Sequence, residues 1–152
     1  MPEQRSSASV DQAEPDAAGL RPVAEGLFTP IRRLGDPVQL IAARCDTCAA
    51  VHFPRRVLCS NCSSSALREL LVGPRGTLYS YTSLPDVPEE PEGGPYIVGQ
   101  VVFPEGVRVQ GRLRRFALAD LALDRPVLAV LGAIGAGDGE TTVSYVFQPE
   151  QT

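Results

Sequence analysis

The 152-residue chain contains no lysine, no tryptophan, one histidine (His52) and one methionine, and all 14 of its basic residues are arginine. Without lysine there is no Schiff-base or pyridoxal-phosphate chemistry and no phosphate-loop lysine, because each needs an amine that can deprotonate or act as a compact point charge. With one imidazole, neither a two-histidine metal site nor a multi-histidine proton relay can form within one chain. No run approaches the roughly 18 apolar residues that span a bilayer. The N-terminal MPEQRSSASVDQAEPDAAG carries acids and no apolar stretch, so it does not read as a secretory signal. A net charge of −4 and a pI of about 5.0 give a phosphate polymer no global field to respond to. The expected location is the cytoplasm, where four cysteines serve as metal ligands more readily than as disulfides.

The hydrophobic share of 43% is enough for a packed core. Residues 1–19 are rich in Ser, Ala, Pro, Gln and acids and read as a disordered tail. In 20–37, Leu27, Phe28, Ile31 and Leu34 alternate with Pro22, Pro30 and Pro37, which limit helix to short turns. Those apolar residues need a partner surface, either this protein's own domain or another subunit, and 20–37 is therefore a candidate docking segment.

The four cysteines are the most specific signal. Cys45-Asp46-Thr47-Cys48 and Cys59-Ser60-Asn61-Cys62 form two C-x2-C knuckles separated by ten residues. A knuckle lets both thiolates reach one ion, and a hairpin that joins two knuckles completes a tetrahedral four-thiolate site. Zinc fits, and would supply folding energy that a small hairpin lacks. Iron accepts the same ligands, and redox pairs or disulfides are the remaining alternatives. Arg44, Arg55 and Arg56 flank the knuckles, either as donors to the sulfurs or as ordinary exposed cations. His52 is surplus to a four-thiolate site. Strands are expected over Val38–Cys45 and His52–Leu58, a third segment, Leu67–Val72, leads into the barrel region, and 38–72 reads as a rubredoxin-like zinc ribbon.

From Gly76 the pattern changes to period two, the mark of half-buried strands. Expected strands are 76–82, 96–103, 107–113, 127–134 and 141–147, with a short helix over Arg115–Leu121. In 107–113, Val107, Val109, Gly111 and Leu113 face inward, and Arg108, Gln110 and Arg112 outward. Thr77, Tyr79 and Tyr81 share one face, with inward packing of the tyrosines the more common use. Gly76, Gly99 and Gly111 are candidate bend sites. Five strands with a helix after the third fit a Greek-key OB-fold barrel over 73–149; a sandwich of equal strand count is the alternative. The fold class is thus mainly β, an N-terminal ribbon followed by a five-stranded OB-fold barrel.

The four-cysteine ribbon, GTLYSYT (76–82), Pro95-Tyr96-Ile97-Val98, Gly111-Arg112-Leu113 and Phe147 together resemble the zinc-ribbon and OB-fold proteins of domain-of-unknown-function family 35, over about residues 38–149. The resemblance implies an accessory subunit, with little chemistry of its own, of thiolases, lipid-transfer-protein-type aldolases or hydratases acting on coenzyme A thioesters. It implies a barrel that helps hold acyl-CoA, with ribbon and N-terminal segment docked on the catalytic chain. Glu25-Gly26-Leu27-Phe28-Thr29 looks like the version paired with thiolase or aldolase subunits. Where family barrels often carry a glycine before the fourth strand, this chain has Leu123-Asp124-Arg125-Pro126.

The residue inventory agrees with a non-catalytic role. If a metal takes all four thiols, none remains to carry an acyl group, and one histidine makes a poor triad. Asp86, Glu89, Glu90 and Glu92 lie among four prolines in what reads as a solvated loop. Arg108, Arg112, Arg114 and Arg115 are candidates for the phosphates of coenzyme A, since guanidinium forks match phosphate oxygens, although a solvated strand face predicts the same residues. An OB-type nucleic-acid binder and an iron electron-transfer protein are the competing functions.

Overall fold

The computed structural model describes residues 19–30, 32–85, 95–117, 119, 121–137 and 139–150. Most of the candidate tail, Ile31, and the acids Asp86, Glu89, Glu90 and Glu92 lie outside them. Among the described residues nine strands follow in order: β1 Leu20–Pro22, β2 Leu40–Cys45, β3 Val51–His52, β4 Leu67–Val72, β5 Arg75–Ser83, β6 Ile97–Phe103, β7 Val107–Leu113, β8 Pro126–Gly137 and β9 Glu140–Pro149. Among the described residues no helix is long and apolar enough to cross a membrane.

The last five strands close on themselves. Antiparallel pairings run β5–β6, β6–β7, β5–β8 and β8–β9, and β9 meets β7 in parallel where Leu113 faces Phe147. That parallel pairing closes a barrel and rules out two stacked sheets. Period-two side chains fill it: Leu78, Ile97, Val101, Phe103, Val109, Leu113, Leu131, Val143 and Phe147 are buried. Gly111 marks a close approach rather than a bend, since a Cβ there would stand 2.7 Å from the Phe147 ring. Gly76 leaves space in the same way for Val101 and Phe103.

In β5 the inward residues are Gly76 and Leu78, whereas Thr77, Tyr79 and Tyr81 are exposed. The shared face is therefore the outer one, which corrects the inward placement of the tyrosines. A register shift between Leu78 and Ser80 accompanies this. Of the helix expected over Arg115–Leu121, Arg115–Ala117 is not helical and Ala119 is in 3-10 conformation, while Leu118 and Asp120 lie outside the described residues. Arg114 N donates to Phe147 O, and Arg115 then takes a φ of +62°, which a right-handed helix cannot accommodate. Asp124, in the stretch where the resembling barrels often carry a glycine, adopts φ +68°, and its N–H donates to Leu78 O at 2.7 Å. Aspartate is among the few side chains that tolerate this region, so the turn forms without glycine.

The ribbon is a three-stranded sheet in the order β3-β2-β4. β3 is shorter than expected and spans two residues, because Pro54 has no N–H to extend the ladder and 54–58 is an exposed loop. Leu40, Ala42 and Val72 of the ribbon join the barrel residues in one continuous core. Phe53 packs edge-on against Tyr145 at 5.6 Å, and burial raises the pKa of that tyrosine, whose hydroxyl donates to Gln110 O. Segment 20–37 rests largely on its own chain. β1 pairs with the far end of β9, Phe28 is buried against Leu40, and Val23 and Leu34 stay exposed.

Two substitutions test barrel filling. Phe147→Ala removes a fully buried ring and is expected to cost about 3–5 kcal/mol in denaturant unfolding. Gly111→Ala is expected to cost about 1–3 kcal/mol through overpacking.

Candidate metal centre

The two knuckles are built alike. In the first, Cys45 N bonds Ala50 O, Ala49 N bonds Cys45 O, and Thr47 N donates to Cys45 Sγ at 3.3 Å. In the second, Cys59 N bonds Ser64 O, Ser63 N bonds Cys59 O, and Asn61 N donates to Cys59 Sγ at 3.3 Å. Each closes on a left-handed residue directly after its second cysteine, Ala49 and Ser63, both at φ 68°. β2 delivers Cys45 and the loop after β3 delivers Cys59, and the β2–β3 and β2–β4 pairings bring the knuckles face to face.

All four Sγ atoms lie within 4.8 Å of one another, with Cys45···Cys62 and Cys48···Cys59 both at 3.6 Å. A disulfide would need about 2.0 Å, whereas the edge of a tetrahedron with metal–sulfur bonds of about 2.3 Å is about 3.8 Å. The cysteines are unbridged, and the donor set fits a tetrahedral dication. Such crowding cannot hold four negative charges by itself. Backbone donation from Cys48 holds the Cys45 thiol at about 6, and the Asn61 side chain lowers Cys48. Cys62 receives the Ser64 backbone N–H, yet desolvation and its three sulfur neighbours push it up to about 12. A bound dication removes that conflict by supplying the missing positive charge.

The flanking arginines follow the exposed reading. Among the described residues Arg44, Arg55 and Arg56 make no hydrogen bond to a sulfur; Arg55 pairs with Glu69 at 3.1 Å, and Arg68 with Asp46 at 2.7 Å. His52 Nε2 instead lies 3.2 Å from Cys59 Sγ, and Asn61 Nδ2 donates to Cys48 Sγ at 3.3 Å. Sequence reasoning set His52 aside and passed over Asn61. Their signal was positional: Asn61 occupies the same knuckle place as Thr47, and His52 lies seven residues before Cys59.

The four arginines do not form one cluster. On the outer barrel face Arg108 stacks over Tyr79 at 4.2 Å and Arg112 over Tyr96 at 4.6 Å. Beside them Tyr81, Leu84, Val98, Gln100 and Gln110 line an open groove of about 410 Å³. Arg114 is only 4% exposed and, with Arg115, lines a separate cavity of about 60 Å³ against Leu34, Val130 and Gly132. The strand ends at Leu113 and the backbone reverses at Arg115, which separates the two pairs.

Comparison with known proteins agrees with both halves of this architecture. Residues 39–68 match the ChsH2 rubredoxin-like zinc ribbon domain, and residues 71–132 the ChsH2 C-terminal OB-fold domain. A DUF35 domain-containing scaffold protein of Methanocaldococcus jannaschii is 29% identical over 122 residues, covering 78% of this chain and 86% of the relative. Another, from Methanothermobacter thermautotrophicus, is 30% identical over 84 residues, covering 54% and 63%. Among solved structures, a chain of the Ltp2-ChsH2(DUF35) aldolase superposes with a TM-score of 0.55 at 27% identity, covering 73% of this chain and 84% of that one.

Because ribbon and barrel share one core, metal loss is expected to reach both. Treatment with a strong zinc chelator should lower the single melting transition of the whole chain by several degrees. A ribbon melting separately, with the barrel transition unmoved, would contradict the shared core. Cys59→Ser should abolish stoichiometric metal, read by elemental analysis.

Proposed function

This chain is a zinc-ribbon and OB-fold protein of the DUF35 type, and from that premise we propose that it is an accessory subunit of an enzyme complex. Its partner in this reading is a catalytic chain of the thiolase or lipid-transfer-protein aldolase class working on acyl-CoA thioesters. The observation that carries the reading is the likeness, over most of both chains, to the Ltp2-ChsH2(DUF35) aldolase structure. The disposition of reactive groups supports it. Cys45, Cys48, Cys59 and Cys62 converge on one point as ligands of a structural zinc ion, and the sole imidazole lies against them.

Docking is assigned to surface the chain leaves open. Val57, 86% exposed, and Leu58 project from the ribbon loop beside Arg55 and Arg56, and Val23 and Leu34 remain exposed on the N-terminal segment. Burial of Val57 and Leu58 against a catalytic chain would remove apolar surface from water. Coenzyme A binding is assigned to the outer face of β5–β7. The planar guanidinium fork matches phosphate oxygens, so Arg108 and Arg112, stacked on Tyr79 and Tyr96 at this face, are the phosphate residues in this reading, with Tyr81 and Leu84 as apolar contacts.

Co-expression with a thiolase- or aldolase-like catalytic chain from the same genome should give a stable hetero-oligomer by size exclusion with light scattering. Val57→Asp should reduce co-purification while leaving metal content unchanged. Failure of every such partner to co-purify would sink the assembly reading. In calorimetry on the complex, Arg108→Ala combined with Arg112→Ala should weaken coenzyme A binding about 10-fold or more, equivalent to about 1.4 kcal/mol. Equal affinity would remove these residues from the binding face.

A further inference from the structure

The near-twofold symmetry of the knuckles fails at two side chains. Backbone N–H donation is matched, from Thr47 to Cys45 and from Asn61 to Cys59. Side chains at the equivalent positions 47 and 61 both cross to the opposite knuckle but end differently. Thr47 Oγ1 reaches the Ser64 hydroxyl at 2.9 Å, whereas Asn61 Nδ2 reaches the Cys48 sulfur at 3.3 Å. His52 breaks the symmetry again by placing Nε2 3.2 Å from Cys59 Sγ, with Ser60 Oγ 3.5 Å from Nδ1 on the other side of its ring. Cys48 and Cys59, themselves 3.6 Å apart, are thus a sulfur pair approached by side-chain nitrogens from outside the four cysteines.

We propose that Asn61 and His52 are positioning residues of the metal centre, hydrogen-bonding the Cys48 and Cys59 thiolates so that the bound ion is retained. The inference rests on the reading of the four cysteines as metal ligands and adds two residues to it. A thiolate is an acceptor only, so both contacts can operate in the metal-bound state with nitrogen as donor. The Ser60 hydroxyl is placed to donate to Nδ1, which favours the imidazole tautomer with its proton on Nε2. Each N–H withdraws electron density from its sulfur and offsets part of the −2 charge that four thiolates and a dication carry together. Asn61 also ties the knuckles to each other, because its main chain serves Cys59 and its side chain Cys48. Being exposed, Asn61 can be replaced without emptying the core.

The test uses the full chain loaded with zinc or cobalt(II). Asn61→Ala and His52→Ala are each expected to weaken zinc retention about 10-fold or more in competition with a colorimetric chelator. In the cobalt form both should move the sulfur-to-metal charge-transfer bands to lower energy, since a thiolate relieved of a hydrogen bond gives up electrons more easily. Asn61→Asp keeps the shape but replaces the donor with a carboxylate, and should lose metal faster than Asn61→Ala. His52→Gln retains an N–H donor and should recover part of the loss. Thr47→Ala breaks a cross-knuckle contact that involves no sulfur; its bands should stay at the wild-type position, which separates donation to sulfur from general loosening. Wild-type retention and band energies in both Asn61→Ala and His52→Ala would overturn the proposal. A wild-type chain that takes up no metal would overturn the underlying reading instead, so the two failures are distinguishable.

Discussion

The ribbon enters and leaves the barrel at one place, the free edge of β8, and the rest of the molecule is arranged around that seam. Val38 N donates to Ala129 O and Leu131 N to Asp36 O on the way in, and Ala129 N donates to Pro74 O on the way out. Beyond β5, which pairs only with Pro126–Leu128, the edge of β8 would otherwise present unsatisfied backbone groups next to a hydrophobic core. Chain on both sides of the ribbon satisfies them. Leu40, Ala42 and Val72 are thereby held over Leu78, Phe103 and Phe147, and one core serves both modules.

The seam explains why a small metal hairpin is tied to barrel stability. A three-stranded sheet with a two-residue member cannot bury enough apolar surface to fold alone. Its inner face is completed by the barrel, and its outer end by the crowded sulfurs. Four thiolates held this close together need a cation to balance their charge. Asn61 and His52 act on the same electrostatic problem from outside the ligand set.

Much of this was legible from residue order because the relevant contacts repeat locally. The alternation in β7 gave its inward and outward residues, and the C-x2-C spacing gave the ligand set of the proposed metal. Features that depend on neighbours distant in sequence were not legible. Tyr79 and Tyr81 obey period two, but which face points outward depends on how β5 lies against β6 and β8, and here Arg108 stacks on the exposed Tyr79. Four arginines close in sequence part company because Arg115 turns the backbone, and no propensity marks that turn. Asp124 does the work of a glycine because Leu78 O waits for its N–H.

By itself, then, the sequence determined the two modules, their order, the strand periodicity and the four cysteines that cluster in the ribbon, all of which rest on spacings along one chain. Only the tertiary structure decided that Asn61 and His52 reach sulfurs 13 and 7 residues away. It also decided that Phe28 folds onto its own core while Val57 projects into solvent, and that Arg108 and Arg112 share one surface while Arg114 is buried at a separate cavity. Hydrogen bonds and burial are properties of atoms brought together in space, and that proximity arises when β8 and β9 close the barrel.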